Sequence, residues 1–205
     1  MSEPDPDRVA WCVIDGVAVF LDIPGDRYFR LQADRNQHFL KLSASPSDAG
    51  PVQPPGFPRP RSWTRPSQQC DAIHDPSFRL GDVARAMWTQ RRAERQVATR
   101  PLVSVLGDLH AVIGNVPFSA GILAEPQLRE VRAFERAKLL RSAADRCLPR
   151  SIALALCLAR RGCRAHVVLG VKIAPFCAHC WVQVGNQVLN DEVEEVLRYA
   201  PILIL

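Results

Sequence analysis

The chain has 205 residues, 47% of them hydrophobic and 23% charged, which suits a folded protein with a sizeable core. Its formal charge of +5 comes without a Lys/Arg block long enough for a nucleic-acid arm; Arg85, Arg91, Arg92, Arg95 and Arg100 read as the solvated face of a helix. No apolar run approaches the roughly 20 residues of a membrane span, the acidic, proline-rich start is no secretory signal, and seven scattered cysteines point to a reducing cytoplasm rather than a disulfide framework.

Val9 to Ile14, Val17 to Asp22 and Arg27 to Leu31 are short apolar or alternating runs, separated by the turn signals Asp15-Gly16 and Pro24-Gly25-Asp26. They read as strands, with a short helix from Ala33 to Leu42 after them. Ser43 to Pro66 holds Pro46, Pro51, Pro54, Pro55, Pro58, Pro60 and Pro66. Proline at that density denies helix and sheet their N–H donors, so a stiff linker or an irregular wrapping segment is expected there. It is the best domain boundary in the sequence, dividing residues 1–66 from 67–205.

From Ser77 to Thr99 apolar positions, Phe78, Leu80, Val83 and Met87 among them, recur between arginines as in a helix. Pro101 to Val116 is apolar but ambiguous, interrupted by Gly107 and Gly114. A further helix is expected from Glu125 to Ser142, where Leu128, Val131, Phe134, Ala137 and Leu139 recur at helical spacing.

The last third is the most informative. Asp145 is a plausible N-cap for a helix over Cys147 to Arg161, ended by Gly162 at the position that favours a left-handed residue. That helix is apolar nearly all round, so it belongs inside a domain. Strands are expected over Ala165 to Ile173, Ala178 to Val184 and Gln187 to Asn190, with Gly185-Asn186 as a tight turn. Tyr199 to Leu205 reads as a final strand that Pro201 confines to an edge.

Three residues in this region could carry chemistry together. Cys147 would open the buried helix, where unsatisfied backbone N–H groups and the helix dipole favour thiolate over thiol. A thiolate attacks a carbonyl; a neutral thiol in a core is merely a small hydrophobe, the reading that suits Cys157 and Cys163. His179 supplies a base whose ordinary pKa lies near neutrality, and Asp191 follows one hairpin later, where it could hold the ring's tautomer. His166, on the preceding strand, competes for the role of base. Cys177 and Cys180 form a lone Cys-x-x-Cys whose only nearby further ligand is Cys163, a weak zinc signal. No phosphate-binding glycine loop is present, and no cofactor is implied.

The blocks around this trio carry a family resemblance. DRCLPRSIAL from Asp145, AHVVLGVK from Ala165, PFCAHCWVQVG from Pro175 and VLND from Val188 are similar to the lasso-peptide B proteins, the leader peptidases of ribosomal lasso-peptide biosynthesis. The resemblance implies an α+β protein whose C-terminal domain has a transglutaminase-like, papain-related fold. It implies a catalytic triad of Cys147, His179 and Asp191, with no chemical role for His166. In front it implies a small β-rich, PqqD-like leader-recognition element, whose opening strands DGVAVFLD from Asp15 and Arg27, Tyr28, Phe29, Arg30 and Leu31 resemble; such a fold takes a leader as an added strand on an open sheet edge. The implied partners are the lasso precursor peptide and an ATP-using, asparagine-synthetase-like lasso cyclase. A transglutaminase-type acyltransferase, a non-catalytic leader-binding module and a zinc-binding structural protein are the rival readings.

Overall fold

A computed structural model describes residues 7–43, 50–117, 123–140 and 146–205. The chain begins with a meander of β1 (Val9–Ile14), β2 (Val17–Asp22) and β3 (Arg27–Arg30), in the antiparallel order β1-β2-β3. The first hairpin closes on Asp15 and Gly16, both at positive φ (49° and 75°), the geometry that matches the twist of paired strands. Helix α1 (Ala33–Leu42) covers one face, where Phe20 stacks on Phe29 and meets Phe39 edge-on. Asn36, buried in that helix, donates to the Gly16 carbonyl and accepts from the Ala18 N–H. The other face, with Ala10, Cys12, Val19, Leu21 and Tyr28, joins the main core of the protein.

Residues 50–66 wrap rather than hang free. Pro51, Pro54, Phe57 and Pro66 are buried. Val52 exchanges two backbone hydrogen bonds with Trp11, and the Gln53 amide makes two with the backbone of Ile204. The segment thus ties the first sheet to the second. A two-residue strand, β4 (Gln68–Gln69), follows.

Four helices come next: α2 (Leu80–Thr99), α3 (Leu102–Gly114), α4 (Glu125–Leu140) and α5 (Cys147–Arg160). The ambiguous stretch is α3: Leu102, Val105, Leu106, Leu109 and Ile113 are buried at helical spacing, and packing outweighs the modest helix penalty of Gly107. Phe78, Leu80 and Leu139, expected on apolar stripes, are exposed by 51%, 79% and 73%. Arg85 departs from the solvated-face reading. It pairs with Asp82 and with buried Glu130, each at 3.0 Å, and so joins α2 to α4, whereas Arg91, Arg92 and Arg95 are exposed. Asp145, the expected cap of α5, and the end of the helix expected to reach Ser142 lie outside the described residues.

Helix α5 is the hub, packed by α2, α3 and α4 on one side and a five-stranded sheet on the other. It ends as the sequence leads one to expect. Gly162 is left-handed (φ 70°), and the Cys163 N–H reaches back to the Leu158 carbonyl at 3.0 Å. The sheet comprises β4 with β5 (His166–Ile173), β6 (Phe176–Val184), β7 (Gln187–Val188) and β8 (Ala200–Ile204), in the order β4-β7-β6-β5-β8. A short helix, α6 (Val193–Val196), links β7 to β8. The strand that holds Pro201 is at the edge, and β7 is two residues long rather than four. Because β7 is short, β6 from Phe176 to Trp181 has no strand partner on that side among the described residues.

Candidate active site

Cys147 is the first residue of α5, and it is half-buried beside the unpaired stretch of β6. The His179 ring and the backbone N–H groups of Cys180 and Leu148 are near enough to its sulfur to favour the thiolate. His179 Nε2 lies 2.8 Å from Asp191 Oδ2, which leaves Nδ1 as the ring nitrogen facing the thiol. Asp191 follows β7, and its Oδ1 accepts from the Glu192 N–H at 2.9 Å. The three side chains nominated from sequence therefore converge, with the imidazole between thiol and carboxylate.

The ring is also held from its faces. Its centroid lies 5.0 Å from that of Tyr199 and 6.3 Å from that of Trp181, in a stacked arrangement with the latter. Both aromatics need room above Gly170, the residue paired with His179 across β5 and β6. A Cβ there would lie 2.7 Å from the Trp181 ring and 2.9 Å from the Tyr199 Cβ, closer than side chains tolerate. Glycine at 170 is thus a packing requirement of the aromatic bed under His179.

Electrostatics within the trio favour an ion pair. Burial raises the Cys147 pKa, but the hydrogen bond and charge of His179 and the two backbone N–H groups outweigh it, and the thiol ends below its ordinary value of 9.0. Burial lowers the pKa of His179, but Asp191 and Cys147 reverse this and push it up to about 9. Asp191 is raised by burial and lowered more by its bond to His179, for a net depression. Thiolate, imidazolium and carboxylate each favour the charged state of the next. The arrangement can deliver a nucleophilic sulfur with a proton donor beside it, the requirement for acyl transfer through a thioester.

Behind Asp191 stands Arg150, one turn along α5 from Cys147 and only 5% exposed. Its Nη2 lies 3.9 Å from Asp191 Oδ2, the oxygen already bonded to His179. From α4, Glu135 faces Arg150, Lys138 and Asp191; burial, the largest influence, raises its pKa. Arg150 is not singled out in the sequence reading, although an arginine near the start of so apolar a helix is a usable signal.

The remaining candidates lie elsewhere. His166 is engaged at both ring nitrogens, Nδ1 with the Leu205 carbonyl and Nε2 with the Ser62 hydroxyl, each at 3.1 Å. Cys157 and Cys163 are buried, and burial pushes the Cys163 thiol up to about 11. Cys180 packs with the core on the α5 side of the sheet, whereas Cys177 packs on the other side, near the Tyr199 hydroxyl. Among the described residues no three His, Cys, Asp or Glu side chains gather as a metal site requires. Arg27, Tyr28, Phe29 and Arg30 form β3, the strand at one edge of the first sheet, and Leu31 follows it. Tyr28 packs 5.7 Å from Phe176, three residues before His179, so this edge strand adjoins the site. No described helix is long and apolar enough to cross a membrane.

Comparison with known proteins adds two matches. The family model described as the transglutaminase-like superfamily matches residues 78–204. The Microcin J25-processing protein McjB of Escherichia coli is 51% identical over 45 residues, 22% of this chain and 22% of that protein. The aligned stretch therefore spans about a fifth of the relative's length. No solved structure matches. Together the two matches support the resemblance to the lasso-peptide B proteins.

Proposed function

The chain belongs to the transglutaminase-like superfamily, and from that premise we propose that it is a cysteine peptidase which removes the leader from a lasso-peptide precursor. The observation that carries this reading is the placement of His179 between the Cys147 thiol and the Asp191 carboxylate. The likeness to a microcin-processing protein supplies the substrate class.

In this reading the leader lies along the outer edge of β3 (Arg27–Arg30), where alternate residues offer their N–H and carbonyl as main-chain partners. The cleavage junction then reaches Cys147. The thiolate adds to the scissile carbonyl; the oxyanion forms near the start of α5, where the Cys147 N–H is a donor. The tetrahedral adduct collapses as the His179 imidazolium gives its proton to the departing amine. That amine becomes the N-terminus of the core peptide, and the leader remains as a thioester on Cys147. Neutral His179 then takes a proton from water, hydroxide adds to the thioester, and the leader leaves with a free carboxylate. An asparagine-synthetase-like cyclase consuming the freed amine is the expected partner.

The test is mass spectrometry of a precursor digest. Hydrolysis yields leader with a free carboxylate and an intact core. Transfer to an amine yields an adduct, which supports the acyltransferase instead. Cleavage that survives Cys147→Ala sinks the reading and leaves a leader-binding module.

A further inference from the structure

Beneath the catalytic trio lies a second set of three groups, each next to one of its members. Ser151 is one helical turn after Cys147, Cys180 follows His179, and Asn190 precedes Asp191. All three are at most 2% exposed. Asn190 Oδ1 accepts from the Val182 N–H at 2.8 Å, and its Nδ2 donates to Ser151 Oγ at 3.0 Å. Ser151 Oγ donates in turn to the Cys180 carbonyl at 3.0 Å.

The pattern follows from where β7 stops. The Leu189 N–H still reaches the Val182 carbonyl at 2.9 Å. The N–H of the same Val182 is then met by a side chain, Asn190, in place of a backbone carbonyl. That substitution lets the main chain leave the ladder, so Asp191 can turn toward His179. In a strand the N–H and carbonyl of one residue point the same way, and residues two apart share an edge. Cys180 therefore presents both of its groups to the edge that β7 has vacated. Helix α5 takes them, the N–H with the Cys147 sulfur and the carbonyl with the Ser151 hydroxyl.

We propose that Ser151 and Asn190 are the positioning residues of this site, a buried clamp that sets the first turn of α5 against the edge of β6 and so holds Cys147, His179 and Asp191 in register. A buried hydroxyl and amide are costly unless every link is made. Each link here joins two of the three segments that carry the trio. The clamp acts through others, because the hydrogen bonds of both side chains go to the Cys180 carbonyl, the Val182 N–H and each other.

The proposal deepens the peptidase reading, and its kinetic arm rests on that reading; its chemical arm does not. Cys147 is alkylated with iodoacetamide between pH 5 and 9 in the full chain, and its own peptide is followed by mass spectrometry. In the wild type alkylation persists to lower pH than at an ordinary thiol. Ser151→Ala and Asn190→Leu part Cys147 from His179 and from the Cys180 N–H, so alkylation at pH 6 slows at least tenfold and recovers toward pH 9. The titratable and charged groups facing the site, Arg150, Asp191, Glu135 and Lys138 with Tyr28 from β3 and Cys180 from β6, are the same in all variants. With a precursor that the wild type cleaves, kcat falls and KM holds. Leu158→Ala, two further turns along α5, lowers the melting temperature but keeps the wild-type profile. A wild-type profile in folded Ser151→Ala overturns the clamp, and that variant decides alone if Asn190→Leu does not fold. A shifted profile in a chain that cleaves no precursor keeps the clamp and sinks the peptidase.

Discussion

The paired strands β5 and β6 carry two histidines, His166 at the start of β5 and His179 within β6, and their surroundings treat the two rings in opposite ways. At the Leu205 end, His166 donates from Nδ1 to a carbonyl and accepts at Nε2 from the Ser62 hydroxyl. A neutral ring satisfies both partners, and burial lowers its pKa. Nearer the β5–β6 turn, His179 is half-buried, and its pKa is pushed up to about 9 by Asp191 and Cys147 against the effect of that burial. Burial alone produces a neutral, inert imidazole. A carboxylate on one nitrogen and an ionisable thiol on the other produce a charged one. The difference between a structural and a reactive histidine is set by two neighbours more than by depth.

The largest effect expected is on this contrast itself. His179→Ala removes the proton donor and the partner of the thiolate, and precursor cleavage falls about 10³-fold or more. His166→Gln leaves the rate near wild type and costs about 1–3 kcal/mol of stability, because it disturbs a buried hydrogen-bonded group. Equal losses of rate in both variants erase the distinction. Asp191→Asn is next, with kcat reduced by about 10²-fold. Its more telling consequence is that the His179 ring, followed by nitrogen NMR, titrates well below 9, as burial regains the upper hand. A ring that still titrates near 9 would assign the charge to Cys147 alone.

Gly170→Ala sharpens the comparison from the aromatic side. The new methyl enters space held by Trp181 and Tyr199, and overpacking of this kind costs about 1–3 kcal/mol. Those rings flank His179 and not His166, so kcat drops by roughly tenfold, the sensitivity expected of a misplaced catalytic group, while the titration of His166 stays put. Loss of stability with kcat unchanged separates the aromatic bed from the chemistry.

How far the sequence foretold this depends on whether the deciding contacts are local. β1, β2 and α1 have the bounds expected from alternation, from the Asp15-Gly16 turn and from helical spacing. All of those signals lie within a few residues of their effect. β4 was not legible, because Gln68 and Gln69 are a strand only by pairing with β7, far along the chain. Leu80 and Leu139 look like core residues and are exposed, since periodicity does not say which turn of a helix finds a partner. At the site, helix-start position singled out Cys147, and Asp191 one hairpin after His179 favoured that histidine over His166, although the contacts that hold each ring are not local. The separating facts are long-range: Leu205 and Ser62 at one, Asp191 and Cys147 at the other. Arg150, Ser151 and Asn190 went unread for the same reason.

The smallest effect expected is thermodynamic, and it depends on the sign of two opposed shifts. His179 has a folded pKa of about 9 against an ordinary 6.5. Its contribution to stability is complete below pH 6.5 and is lost as pH rises toward 9. Cys147 has a folded pKa below its ordinary 9.0. Its contribution is complete above pH 9 and is lost as pH falls toward the folded value. Where the two windows overlap, the slope of His179 is downward with pH and that of Cys147 upward. The two oppose each other, so wild-type stability changes less with pH there than either group alone would make it. Cys147→Ala removes one slope and leaves the other. Asp191 still raises the His179 pKa, and the variant loses about 1–2 kcal/mol between pH 6.5 and 9. Urea unfolding at three or four pH values measures it. A flat profile in both proteins would mean that the wild-type site holds neutral thiol and neutral ring, and His179 would then resemble His166 after all.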